Sequence, residues 1–210
     1  MSKNRILYAL GTMSLLLMLA LITPFLLPDL DDIGNTTDLT PVPLTIGDHH
    51  FDIPKAYLWY KPNWTGQVDQ AIHMVATLPD LAPYSEETKI FYEGGPGLKY
   101  KVSFDILNTT APIQTAFGEE GLTSCLKNWQ DFKVCSHPQQ PQRLEVLIHQ
   151  AHKLTFICPK IGTQRSPMCS TTLSIRPGLT LKIEMHEKHL PEANQIIKDV
   201  TTKVQGFLSK

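Results

Sequence analysis

Residues 179–208 read "LTLKIEMHEKHLPEANQIIKDVTTKVQGFL", and two periodicities meet within them. In 179–186, Leu181, Ile183 and Met185 alternate with Lys182, Glu184 and His186. That period of two belongs to a strand with one buried and one wet face. From Pro191 the spacing changes: Ala193, Ile196, Ile197, Val200, Val204, Phe207 and Leu208 recur at three- and four-residue intervals. Pro191 suits a first helical turn, and Glu192 favours the positive end of the helix dipole. An apolar helical stripe directly after a strand needs a sheet face to cover. The expected fold class is therefore α+β: an N-terminal transmembrane helix, then an antiparallel sheet with a C-terminal amphipathic helix packed on it.

Upstream, from about Leu44, short β-branched, aromatic and aliphatic runs alternate with Pro, Gly and Asn signals. "AIHMVATL" (71–78), "KYKVSFDIL" (99–107), "RLEVLIH" (143–149), "KLTFICP" (153–159) and "CSTTLSIRP" (169–177) read as antiparallel strands. Cys158 and Cys169 flank a Pro- and Gly-containing loop between two such runs, and Cys125 and Cys135 flank "LKNWQDFKV" in the same manner. Of the three possible connectivities the sequential one is expected, each bridge closing a short loop for roughly 2 to 3 kcal/mol.

The chain opens "MSKNRILYALGTMSLLLMLALITPFLLPDLDD". Between Ile6 and Leu27 the only ionisable group is the phenol of Tyr8. A helix over this run reaches the ~30 Å of a bilayer core at about 1.5 Å per residue. Lys3 and Arg5 precede it, Asp29, Asp31 and Asp32 follow it, and no small-x-small cleavage site ends it. The expectation is a cytoplasmic N-terminus over 1–5, an uncleaved anchor over 6–27, a flexible tether over 28–43 and an exported domain over 44–210. Four cysteines, all in the exported part and none in a C-x-x-C pair, agree with an oxidising compartment.

Several function classes drop out. The formal net charge is −1 and the lysines are scattered, so no nucleic-acid partner is expected. The histidine pairs His49–His50, His149–His152 and His186–His189 invite a metal, with Glu187 as a third ligand. But "HEKH" is one residue short of the zincin spacing, His149 and His152 straddle a turn, and adjacent histidines on an extended chain face opposite ways. No nucleophile elbow is present, "EGGPG" (93–97) lacks the residues of a phosphate loop, and the acidic doublets Glu86–Glu87 and Glu119–Glu120 read as solvated. No enzyme, metal or cofactor is expected; an envelope hydrolase using a histidine pair ranks third among the functional readings. Asn-x-Thr sequons stand at Asn35, Asn63 and Asn108.

The stretch "HHFDIPKAYLWYKPNW" (49–64) reads as an edge strand bent at Pro54, with Trp59, Tyr60 and Trp64 as candidate protein-binding anchors. Tyr84, Glu86 and Glu87 of "YSEET" (84–88) are candidate partner contacts, the acidic loop steering a partner that is basic. Phe51, Ile53, Pro54 and Tyr57 form an F-x-I-P-x-x-Y pattern, and Pro79, Asp80, Leu81 and Pro83 a P-D-L-x-P loop.

With the terminal strand and helix, these motifs resemble a loosely defined set of uncharacterised proteobacterial proteins anchored in the inner membrane. The set is associated with immunity partners of secreted antibacterial effectors, including those of type VI secretion. The resemblance implies a single-pass protein of the bacterial inner membrane whose periplasmic domain binds and occludes a secreted toxin, and it implies no catalytic residues. A structural or assembly accessory of an envelope machine is the alternative, its partner an envelope component.

Overall fold

Pairing in this chain follows its turns. The computed structural model describes residues 32–92, 95–109, 125–152, 154–160 and 167–209. Among them are ten strands: β1 (Pro41–Ile46), β2 (His49–Pro54), β3 (Ala71–Thr77), β4 (Lys101–Asn108), β5 (Cys125–Trp129), β6 (Phe132–Ser136), β7 (Leu144–His149), β8 (Thr155–Pro159), β9 (Met168–Arg176) and β10 (Leu179–His186). Two α-helices accompany them, the four-residue α1 (Lys89–Tyr92) and the C-terminal α2 (Ala193–Gly206). Residues 34–210 form one compact unit.

Eight strands make one sheet in the order β3-β4-β10-β9-β8-β7-β6-β5, each neighbouring pair antiparallel. Pro177–Gly178 closes β9 onto β10, with Gly178 at φ 78°, the left-handed position that a type II turn reserves for glycine. Ile72 and Met74 of β3, Val102 and Phe104 of β4, and Leu181 and Ile183 of β10 lie on one sheet face and are buried in a single core. Ile196, Ile197, Val200 and Val204 of α2 join the same core.

Among the described strands β1 and β2 form a separate two-stranded hairpin, through a two-residue loop at Gly47–Asp48. Prolines at 41, 43 and 54 leave this hairpin short of the N–H donors a wider ladder needs. Its Val42, Leu44, Ile46, Phe51 and Ile53 still point into the common core. Beyond α2 the chain runs alongside β2: Asp52 N–H donates to Phe207 O at 2.8 Å, and Ser209 N–H to His50 O at 2.9 Å.

One neighbouring pair is thin. Among the described residues β8 and β9 register through the single pair Ile157↔Ser170, where β9 and β10 share eight. The Cys158–Cys169 disulfide spans this seam, and Thr171 Oγ1 donates across it to Thr155 O at 2.8 Å. The second disulfide, Cys125–Cys135, joins β5 to β6. The pairing is the sequential one.

Two expectations are corrected. The fold is mostly antiparallel β with one C-terminal helix, where the sequence suggested an anchored α+β class. Turn chemistry turns residues 41–54 and 125–136 into paired strands, so β-structure dominates. The anchor expected over 6–27 lies outside the described residues. Among those described no helix is long and apolar enough to cross a membrane; α2 has 14 residues, about 21 Å against the ~30 Å required. The reading of the chain as a single-pass inner-membrane protein therefore has no support in the structure.

Candidate protein-binding surface

The two sequence motifs of the resemblance meet inside the fold. After Pro54 the chain leaves β2 for a 3-10 turn, Lys55–Tyr57, instead of continuing as a bent strand. Tyr57 and Leu58 sink into the core, and Tyr57 Oη donates to Leu81 O at 2.9 Å. Leu81, in the turn after β3, holds the left-handed φ of 51° while only 3% exposed, so its buried side chain fixes a strained backbone. These residues build scaffold.

Trp59, Tyr60 and Trp64 are half-buried. Trp59 and Tyr60 both stand edge-on to the His73 ring, at 5.7 and 5.5 Å between centroids. His73 lies on β3, an edge strand of the sheet, with Nδ1 2.9 Å from Asp105 Oδ1. Trp64 Nε1–H donates to Leu58 O at 2.7 Å, and Lys55 Nζ sits 5.3 Å from the Trp64 ring centre. Asn63 is fully buried: its amide donates to Gln67 O at 2.7 Å and its carbonyl accepts from His73 N–H at 3.2 Å. The Asn63 sequon is thus folded away. This aromatic group fastens residues 55–67 to the sheet edge, and its side chains offer little free anchor.

The open surface lies further along, between β3 and β4. Tyr84 N–H donates to Ala56 O at 3.2 Å, and the Tyr84 ring meets that of Tyr92 at 5.1 Å. Ser85 and Thr88 exchange side-chain and backbone hydrogen bonds that shape the turn into α1. Tyr92 Oη donates to Val75 O at 3.2 Å. Burial first, and the neighbouring Tyr57 second, hold the Tyr92 phenol above its ordinary range. Lys101 lies over the Tyr92 ring at 5.1 Å, and burial lowers its ammonium pKa.

Along this segment Ile90 (74% exposed), Leu98 (40%) and Tyr100 (43%) are exposed. Residues 99–100 are held from several sides. Tyr100 O accepts from Leu78 N–H at 2.8 Å, and Lys99 O lies 2.7 Å from His189 Nε2. Lys188 Nζ stands 3.9 Å over the Tyr100 ring, and Phe91 meets Tyr100 at 5.3 Å. Gly97 packs so closely on Phe91 that a Cβ there would lie 2.3 Å from the Phe91 carbonyl oxygen. Glu86 and Glu87 are exposed at the other end of the segment, Glu86 3.9 Å from Lys89.

Of the sequence candidates, Tyr84, Glu86 and Glu87 therefore border the surface, while Trp59, Tyr60 and Trp64 belong to a separate cluster on the sheet edge. Ile90, Leu98 and Tyr100 were not among those candidates. Their signal was present in "KIFYEGGPGLKY" (89–100), where apolar residues crowd a Gly-Pro connection without the period of a strand or helix.

The histidine pairs form no ligand set. His49 Nε2 is 3.2 Å from Pro177 O, His50 Nδ1 is 3.0 Å from Thr45 Oγ1, and His186 Nδ1 accepts from Lys188 N–H at 3.2 Å. His149 and His152 lie 4.6 Å apart beside an open polar groove of about 580 Å³. Among the described residues no group of three metal-ligating side chains gathers.

No family model matches the chain, and no curated protein does. A solved structure does: an immunity protein of the Stenotrophomonas maltophilia type IV secretion system. The two superpose with a TM-score of 0.58 at 12% identity, over 85% of this chain and 99% of that one. The two chains share a fold.

Proposed function

We propose that this chain is an immunity-type binding protein that neutralises a secreted antibacterial toxin by covering it, with the exposed side chains of Tyr84–Tyr92 and Gly97–Tyr100 as the contact. The observation that carries the reading is the exposed trio Ile90, Leu98 and Tyr100 beside a backbone held by hydrogen bonds and ring contacts. Exposed apolar side chains beside a well-held backbone are what a protein interface uses for its hot spots, because little ordering entropy remains to be lost on binding. The shared fold with a secretion-system immunity protein favours this role over catalysis. Two disulfides suit work in an oxidising compartment such as a periplasm. The neighbour serves a type IV system, whereas the sequence resemblance pointed to type VI; occlusion of a toxin requires neither in particular.

The test is competition between sister cells. A strain lacking the gene should lose viability in contact with its parent. The wild-type gene should restore protection, and Ile90→Asp with Leu98→Asp should not, although the purified variant keeps its thermal midpoint. Undiminished survival of the deletion strain would overturn the reading.

A further inference from the structure

Cations gather beside Leu98 and Tyr100. Leu98 and Tyr100 flank Lys99, and Lys188 and His189 lean onto the same turn from the segment after β10. Lys99, Lys188 and His189 act together on the neighbouring His186, whose pKa falls through burial first and through these three charges next. Among the described residues neither Lys99 nor Lys188 makes an ion pair, and Glu187, the adjacent carboxylate in sequence, pairs with neither. The acidic end differs, because Glu86 already faces Lys89.

Resting on the binding role proposed above, we infer that the partner surface is acidic: an apolar patch rimmed by Asp or Glu, docking over Leu98 and Tyr100 with its carboxylates toward Lys99 and Lys188. Unneutralised cations at the rim of an apolar patch repel a basic partner, and they accelerate encounter with an acidic one in a salt-dependent way. Tyr100, with Lys188 over its ring, supplies both kinds of contact at one point. A basic partner, which the doublet Glu86–Glu87 would steer, meets the wrong sign at Leu98 and Tyr100.

The experiment uses the full chain, isotopically labelled, and two synthetic peptides with identical apolar positions, one carrying Glu and the other Lys at every polar position. The Glu peptide should shift the amide resonances of Leu98, Lys99, Tyr100, Lys188 and His189, and its affinity should fall with added salt. Lys99→Glu with Lys188→Glu should weaken it about tenfold, and Glu86→Lys with Glu87→Lys should not weaken it. Equal or tighter binding of the Lys peptide, shifts mapping elsewhere, or binding of neither peptide overturns the inference. In cell competition the Lys99→Glu, Lys188→Glu chain should fail to protect, while the Glu86→Lys, Glu87→Lys chain protects. A deletion strain without a phenotype would sink the immunity role and leave the peptide result standing on its own.

Discussion

Replacing Cys158 and Cys169 together with alanine should destabilise the fold by about 3 kcal/mol, and the damage should begin at one seam. The bridge closes a loop with a sequence separation of 11, for which loop-closure entropy gives about 3 kcal/mol at 25 °C. For a domain of this size that corresponds to roughly 6 to 12 °C in Tm. The Cys125–Cys135 bridge has a separation of 10, so the same formula gives nearly the same global loss. The structure separates the two locally. β5 and β6 stay joined by further ladder pairs such as Asn128↔Lys133 and Trp129↔Phe132 when their bridge is gone. β8 and β9 retain the pair Ile157↔Ser170 and the Thr171 side-chain bond. Hydrogen exchange of the two double variants under native conditions is the assay. Amides of β8 and β9 should exchange much faster in the Cys158/Cys169 variant than in its counterpart, with urea titrations giving the global loss. Equal exchange at β8–β9 in both variants would refute the seam, and a loss below ~1 kcal/mol would refute the loop-entropy reasoning.

Asn63→Ala should cost roughly 1 to 3 kcal/mol by urea denaturation, since it removes two hydrogen bonds, to Gln67 O and from His73 N–H, made by a fully buried side chain; an unchanged midpoint would contradict that. Gly97→Ala should push α1 off the following turn, at roughly 1 to 3 kcal/mol of local overpacking. Faster proteolysis within 89–100 is the readout, and wild-type resistance would count against it. His186 is held below its ordinary pKa of 6.5, so the unfolded chain takes up its proton first as pH falls. Its contribution to stability is complete above that value, is lost as pH drops from it toward the folded pKa, and changes no further below. Thermal midpoints at about pH 7.5 and 5.5 should therefore differ less in His186→Asn, which keeps an acceptor for Lys188 N–H, than in the wild type.

The strands most easily read from sequence were those with one wet face. Lys182 and Glu184 alternate with buried neighbours in β10, and Ser103 and Asp105 do the same in β4. β5 and β6 were not among the strands read, because a bulge after Cys125 breaks the alternation and Lys127, Asn128 and Lys133 dilute the apolar signal. The disulfide pairing was legible because each pair flanks one short segment. The aromatic run at 57–64 misled for a different reason. Composition shows that large rings are present, but only tertiary packing decides that Tyr57 and Leu58 turn inward while Trp59 and Tyr60 lie against His73. The same limit hid Ile90, Leu98 and Tyr100: an exposed apolar side chain and a buried one are spelled alike.

The order of strands in the main sheet also governs when it can form. β4 lies between β3 and β10, and its first residue pair with β10, Asn108↔Leu179, joins segments made far apart in time during synthesis. Until β10 emerges, β4 carries a bare row of backbone donors and acceptors beside the apolar face of Val102, Phe104 and Ile106. Such a half-made edge is prone to pair with other chains, and non-local pairing of this kind is slow. An incomplete chain thus passes through a sticky interval that ends when the final strand is delivered.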